Sequence, residues 1–241
     1  MPVSRKRRAK KHLAKKLPVR KDSAKWAVRL MGPRLAGLKD DPDFRTIIKL
    51  GRVLNAVLSA ISNVSSSVKR SNAHERRQYW RACFMLAGYV HEGIKLVNSI
   101  KGRYLTMPEF QDLRAIALDA DCRQARDYVR KVRNHAAFHF DEDDLRVSRA
   151  LAMLKPTTYT LNSGDRSIPG AWYFDLADYL DLTLLVDEFG EGGDREEAID
   201  KIFNTINGLA VAFTTACAKF YIALTKKMDL ADDVYEPDNL P

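Results

Sequence analysis

The sequence predicts an all-α protein: an antiparallel helical bundle with a short β-hairpin or ordered-loop insert and charged, disordered ends. Apolar residues recur every three or four positions through several long segments, which is the period of an amphipathic helix. The connections between these segments are short, which favours antiparallel packing of neighbouring helices. The chain has 241 residues, of which 46% are hydrophobic, so it is long enough to bury one sizeable core.

The apolar stripes place helices at residues 44–68, 75–100, 108–118, 121–138, 176–189 and 194–228. Pro108 stands at a favoured first helical position, and Gly102 is a stop signal for the second helix. The acidic run at 141–144 suits the first turn of a further helix. Between 155 and 175, Thr and aromatic residues flank Gly and Pro, which predicts the insert of two short strands or an ordered loop.

Charge divides the chain into three parts. Residues 1–22 form a basic arm in which no carboxylate precedes Asp22, residues 23–228 form the helical domain, and residues 229–241 form an acidic tail. The arm has too few apolar residues to fold alone, and its cations would bind nucleic-acid phosphates without sequence preference. The arm residues expected to do so are Arg5, Lys6, Arg7, Arg8, Lys10 and Lys11. The same composition also fits a solubilising tail, an import signal, or an arm that folds back on the acidic tail.

Several classes of protein are disfavoured. We expect no apolar stretch long enough to cross a bilayer and no secretory signal, hence a cytoplasmic protein without a membrane partner. Cys83, Cys122 and Cys217 are far apart and form no CxxC pair, which argues against a disulfide framework and a cysteine-rich zinc site. The P-loop, the dinucleotide fingerprint, the GxSxG elbow and the HExxH motif are all missing from the sequence.

Residues 128–141, at the end of the fourth predicted helix, contain two histidines, an asparagine and two arginines, which are side chains that can transfer protons or bind phosphate. The arginines of this helix recur at helical spacing, which predicts either a basic stripe that follows a phosphate backbone or a solvated helix face: Arg123, Arg126, Arg130 and Arg133. His135 and His139 continue a row that faces the core. With Asp143 they would have metal-ligand spacing if the helix continued, but the acidic run favours a break near Asp141.

Arg133-Asn134, followed by four residues and then His139, resembles the Rx4-6H motif of the HEPN superfamily. The sequence of residues 133–141, Arg-Asn-His-Ala-Ala-Phe-His-Phe-Asp, is similar to the motif in HEPN proteins of abortive-infection and toxin-antitoxin systems. His91-Glu92-Gly93, on a preceding antiparallel helix, is similar to the polar residue that family members place upstream. The resemblance covers residues 44–228 for the fold and residues 128–141 for the motif.

The resemblance implies an endoribonuclease that needs no metal ion or other cofactor, in a toxin-antitoxin or antiviral defence setting. His139 would move protons while the RNA 2′-hydroxyl attacks the adjacent phosphate, since imidazole titrates near neutral pH. Arg133 would stabilise the charge on the phosphate oxygens, and Asn134 would orient the scissile group. Supporting roles are expected for Glu92, His135 and Asp141, and nucleic-acid contacts for Arg126 and Arg130.

A straight helix rotates by about 240° over six residues, so Arg133 and His139 would not lie side by side. HEPN proteins solve this by dimerising, which implies a homodimer with a composite active site, and Ala136 and Ala137 are small enough for a second helix to approach. An antitoxin is a further partner in such systems. The alternative is a non-catalytic helical module for nucleic-acid binding or protein interaction, in which the same motif residues form a structural hydrogen-bonded group.

Overall fold

The computed structural model describes residues 27–28, 36–67, 72–134, 148–149, 151–154, 175–190, 194–230 and 234–235. These residues are helical apart from turns and one two-residue ladder, which confirms the all-α character. The elements in chain order are β1 (Ala27–Val28), α1 (Pro42–Ser66), α2 (Ala73–Tyr104), α3 (Pro108–Leu118), a 3₁₀ turn (Ala120–Cys122), α4 (Arg123–Val132), α5 (Asp175–Glu188), α6 (Arg195–Lys227) and β2 (Val234–Tyr235).

Local chemistry sets where the helices begin. The side chains of Asp41, Asn72 and Asp194 accept backbone N–H groups at the starts of α1, α2 and α6. Pro42 and Pro108 occupy first helical positions, where a missing N–H costs nothing. The predicted helices therefore agree with α1, α2, α3, α5 and α6 to within a few residues.

The prediction that Gly102 stops the second helix is wrong. α2 continues through Gly102 to Tyr104, and a Cβ at position 102 would meet nothing within 4 Å. A glycine at an open helical position only weakens a helix by about 0.5–1 kcal/mol relative to alanine, so it does not have to end one. The turn between α2 and α3 follows Tyr104, and Met107 then precedes Pro108 at the start of α3.

α6 forms the centre of the bundle, and α1 to α5 all contact it. Its buried side chains include Ile202, Phe203, Phe213 and Phe220, each no more than 1% exposed. Phe203 meets Tyr79 of α2 in an edge-to-face contact, and Phe220 meets Tyr104 in another. α2 and α4 pack on α6 and on each other. The contact of Arg133 with Glu92 places the middle of α2 beside the end of α4.

β1 and β2 form an antiparallel pair in which Ala27 lies opposite Tyr235 and Val28 opposite Val234. β1 follows the basic arm in the sequence, and β2 belongs to the acidic tail. The arm itself, the acidic run at 141–144 and nearly all of the predicted insert (155–174) lie outside the described residues. The predicted β-hairpin or loop therefore stays a prediction.

Two helices are long and apolar enough to cross a membrane, so the expectation that no segment is long enough is wrong. α1 has 25 residues and its most apolar window has a mean hydropathy of 1.3, while α6 has 33 residues and a value of 1.4. Half of the α6 window is buried inside the bundle, against 28% of the α1 window. Core helices of globular proteins meet the same criterion of length and hydropathy, so this is weak evidence for a membrane span.

A partly buried polar group joins the ends of three helices. The Tyr104 hydroxyl lies 2.7 Å from Asp43 Oδ1 and 3.1 Å from Thr46 Oγ1, both at the start of α1. Lys227, the last residue of α6, donates to Asp43 Oδ2 at 2.7 Å. The ends of α2 and α6 are thereby fixed to the first turn of α1.

We expect Tyr104→Phe to lower the free energy of unfolding by about 1–2 kcal/mol. The change keeps the ring contacts with Phe110 and Phe220 but removes the hydroxyl from a buried hydrogen-bonded group. Urea unfolding followed by circular dichroism measures the difference. Tyr221→Phe is the matched control, since the Tyr221 hydroxyl has no hydrogen-bond partner among the described residues. An equal loss of unfolding free energy in both variants would contradict the account.

The same group makes stability depend on pH in the acid range. Burial raises the pKa of Asp43, but hydrogen bonds from Lys227 and Tyr104 and the nearby charges of Lys227 and Arg103 outweigh it, so the pKa lies below 3.8. The stabilisation is therefore complete above pH 4 and is lost as the pH falls through the lowered value. Urea titrations between pH 6 and pH 2.5 should show a smaller loss of unfolding free energy for Asp43→Asn than for wild type. If the unfolding free energies of the two proteins fell in parallel with pH, the role of Asp43 would be refuted.

Candidate active site

α4 is a short helix with sharply divided faces. Tyr128, Val129 and Val132 are each no more than 3% exposed and pack into the core. The helix ends at Val132, and Arg133 and Asn134 continue with π-helical geometry. Single π-helical turns occur frequently at functional sites. The first two residues of the predicted motif therefore stand at a change of backbone geometry.

Arg133 lies between α4 and α2 and meets Glu92. Its Nη2 atom is 3.7 Å from Glu92 Oε1, and its Nη1 donates to Asn134 Oδ1 at 3.2 Å. The Arg133 side chain is 25% exposed and that of Glu92 51%. Both belong to the predicted site, and with Asn134 they form one accessible polar group.

The ion pair between Arg133 and Glu92 is weak. At 3.7 Å the two groups attract each other as charges but are too far apart for a hydrogen bond. Glu92 also accepts from Lys95 at 3.2 Å, which shares its charge between two cations. Partly exposed pairs of this kind contribute at most about 1 kcal/mol. This ion pair therefore contributes little to stability, and a stronger anion could replace Glu92 in it.

His91 is a half-buried imidazole beside this group, and it is not among the site residues predicted from the sequence. Burial lowers its pKa below 6.5, and the positive charge of Arg133 lowers it further, with smaller effects of Lys95 and Arg130 in the same direction and of Glu92 in the opposite one. His91 is therefore neutral at pH 7. The nearest signal in the sequence is its position next to Glu92.

Gly93 sets how closely α2 approaches its neighbours at the site. A Cβ at this position would lie 2.6 Å from Phe213 Cζ on α6 and 2.9 Å from Val53 Cγ1 on α1. Both distances are shorter than carbon atoms tolerate. The missing side chain thus lets α2 pack directly on α6 and α1, and it fixes the depth at which His91 and Glu92 face α4.

The arginines of α4 do not form one uniform stripe. Arg126 is half-buried, and its guanidinium donates to the carbonyl oxygens of Ile116 and Leu118 at 3.2 and 3.1 Å. These carbonyls are among those left without helical partners at the end of α3. Arg126 thus holds α3 against α4, and an expected RNA contact at this position has to compete with that role.

Lys131 holds α5 against α4 in a similar way. Its ammonium donates to the Glu188 carbonyl oxygen at 2.8 Å and lies 4.5 Å from the ring centre of Phe189. Arg130 is exposed and pairs with Asp127 at 3.1 Å. Of the two α4 arginines expected to bind nucleic acid, Arg130 is therefore the one that faces solvent, and its contact with RNA stays a prediction.

The remaining predicted site residues lie outside the described part of the chain: His135, His139, Asp141 and the arm residues Arg5, Lys6, Arg7, Arg8, Lys10 and Lys11. The alternative metal set of His135, His139 and Asp143 also lies there. The described residues bring together Arg133, Asn134 and Glu92, and they add His91. Comparison with protein-family models, with curated proteins and with solved structures finds no match to this chain.

Proposed function

We propose that the protein is a metal-independent endoribonuclease of the HEPN type. The observation that supports this most is the polar group at the end of α4, where a guanidinium that is 25% exposed lies beside Asn134 and forms a weak ion pair with Glu92. These residues begin the motif that ends at His139. An arginine used on phosphate needs this combination of fixed position, accessibility and replaceable partner.

The proposed reaction is a transesterification within the RNA. The 2′-oxygen forms a bond to the neighbouring phosphorus, and the bond from phosphorus to the 5′-oxygen of the next nucleotide breaks. The 2′-hydroxyl loses a proton, and the leaving 5′-oxygen gains one. The products are a 2′,3′-cyclic phosphate and a 5′-hydroxyl, and His139 is the proposed proton carrier.

Arg133 binds the phosphate oxygens that gain charge in the transition state. A guanidinium makes two parallel hydrogen bonds to phosphate, which are stronger than an ion pair at 3.7 Å. In the transition state the phosphate would therefore displace Glu92 from Arg133, and Lys95 remains to balance the carboxylate. Glu92 acts in this scheme as a positioning residue that holds the guanidinium in the free enzyme.

The setting proposed for this activity is the cytoplasm, in a toxin-antitoxin or phage-defence system. We propose a homodimer in which two copies of the motif face one another, with an antitoxin as the further partner. The basic arm, with ten Lys and Arg among the first 21 residues, adds affinity for RNA that depends steeply on salt.

A non-catalytic RNA-binding or interaction module is the second candidate. The ion pair of Arg133 with Glu92 favours it, because a structural arginine would also be paired in this way. The roles of Arg126 and Lys131 in holding α3 and α5 show that basic residues of α4 do structural work. The two candidates differ in whether RNA is broken.

Incubation of the purified protein with varied RNAs in EDTA tests the proposal. We expect fragments with 2′,3′-cyclic phosphate ends, and we expect His139→Ala to abolish them while far-ultraviolet circular dichroism stays unchanged. His74→Ala, in the first turn of α2, is the matched histidine control and should cleave like wild type. RNA binding without cleavage by wild type would favour the second candidate, and cleavage only with added zinc or manganese would favour the metal site.

A further inference from the structure

A groove runs along the contact between α1 and α2 and opens beside the candidate active site. Its first part is a cavity of about 310 Å³ whose walls include Lys49 and Arg52 from α1 and Tyr89 and Glu92 from α2. These residues lie three apart on each helix, so each pair faces the same side. Glu92 is shared with the polar group at Arg133, so the groove and the candidate site are continuous.

The groove continues past Tyr89 along the same two helices. Tyr89 also lines a second cavity of about 480 Å³, together with Ser59 and Asn63 from α1 and Gln78 from α2. From Lys49 to Ser67 the α1 side of the groove is ~27 Å long at 1.5 Å per residue. This is an extended track with a cationic end near Arg133, an aromatic ring in the middle and hydroxyl and amide groups beyond it.

The cations at one end of this groove are available to a ligand. Lys49 and Arg52 are exposed, and neither has an acidic partner within 4 Å among the residues that the structure describes. Val53 and Ala56 form an apolar floor between them and Tyr89. Among the described residues, Glu92 is the carboxylate in this wall, and Arg133 and Lys95 already pair with it. The groove therefore favours an anion that also has an apolar, planar part.

We infer that this groove binds single-stranded RNA next to the bond that is cut. Arg52 and Lys49 would hold a backbone phosphate, and Tyr89 would stack on a base. Cations that follow the backbone and aromatic rings that stack on bases are the general means by which proteins hold single strands. The inference rests on the proposed ribonuclease function, since the groove then supplies the substrate affinity that Arg133 and His139 do not.

The inference predicts a separation of binding from chemistry. Arg52→Ala and Tyr89→Leu should each raise KM for a single-stranded RNA about tenfold and leave kcat within twofold of wild type, since base stacking alone changes affinity by that order. Tyr89→Leu keeps an apolar side chain for packing, and Tyr89→Phe should restore KM because it keeps the ring. Lys219→Ala, on the exposed side of α6 where Lys219 pairs with Asp112, is the matched control and should leave both constants unchanged.

Binding measured without cleavage distinguishes the two proposals. A fluorescent oligouridylate with 2′-O-methyl groups cannot react, so its anisotropy reports the groove even if the protein is not a nuclease. We expect about tenfold weaker binding for Arg52→Ala and Tyr89→Leu, and a salt dependence of log K that is shallower by about one for Arg52→Ala. Unchanged affinity in both variants would overturn the groove proposal and leave the nuclease proposal standing. Displacement by oligoglutamate but not by unlabelled RNA would assign the groove to an acidic protein partner and would also overturn it.

Discussion

Arg133→Ala is expected to lower kcat for RNA cleavage by about 10²–10³-fold, which is the usual loss when one group that stabilises transition-state charge is removed. The effect on folding should be small, because the ion pair to Glu92 is long and partly exposed. Affinity for uncleavable RNA should also change little, since the groove and the arm supply most of the binding. Single-turnover cleavage, anisotropy and urea unfolding measure the three quantities separately.

Arg123→Ala is the matched control for this experiment. Arg123 is the first residue of α4 and is exposed, and its replacement by alanine removes the same charge from the same helix. Its variant should cleave at the wild-type rate. Equal losses of kcat in the two variants would mean that only the total charge of α4 matters, and a fully active Arg133→Ala would remove Arg133 from the mechanism.

Gly93→Ala is expected to lower the free energy of unfolding by about 1–3 kcal/mol, as extra carbon atoms in a well-packed core do. The new Cβ would meet Phe213 Cζ at 2.6 Å and Val53 Cγ1 at 2.9 Å, so α2 would have to move away from α6 and α1. Because Glu92 is the adjacent residue, the position of Arg133 should change with it. We therefore expect reduced cleavage together with reduced stability.

Gly102→Ala provides a control on the same helix with the opposite sign. A Cβ at Gly102 meets nothing within 4 Å, and alanine in a helix is favoured over glycine by about 0.5–1 kcal/mol. This variant should unfold at a higher urea concentration than wild type and should keep its activity. If Gly93→Ala stabilised the protein as much as Gly102→Ala does, the close packing of α2 on α6 would be disproved.

The helices were predictable from sequence because their signals are local. The apolar period marks α1, α2 and α6, and capping residues such as Asp41 and Asp194 mark where helices begin. The end of α2 was not predictable from Gly102, because a glycine at an open helical position is tolerated and the turn after Tyr104 ends the helix instead. Likewise, the sequence alone does not show whether a long apolar helix lies in a membrane or in a protein core. α6 illustrates this, because half of its most apolar window is buried inside the bundle.

The candidate site was predictable in its residue types but not in its contacts. The Rx4-6H motif singles out Arg133 and Asn134, and the sequence His91-Glu92-Gly93 on the preceding helix singles out Glu92. The packing of the two helices explains why Arg133 and Glu92 come into contact. The role of Arg126 required knowing that the last carbonyls of α3 lie beside α4. The position of His91 beside this group was not predictable either. Neighbouring residues on a helix point about 100° apart, so the sequence does not show that His91 and Glu92 face the same group.

The most direct test of the central claim is cleavage of one RNA in two forms, the second with a 2′-O-methyl group only on the nucleotide before the mapped cut. If the 2′-oxygen attacks the phosphate, the first form is cut in EDTA to a 2′,3′-cyclic phosphate and the second is not cut at that bond. Cleavage of both forms at the same bond, or products with a 5′-phosphate, would contradict the account.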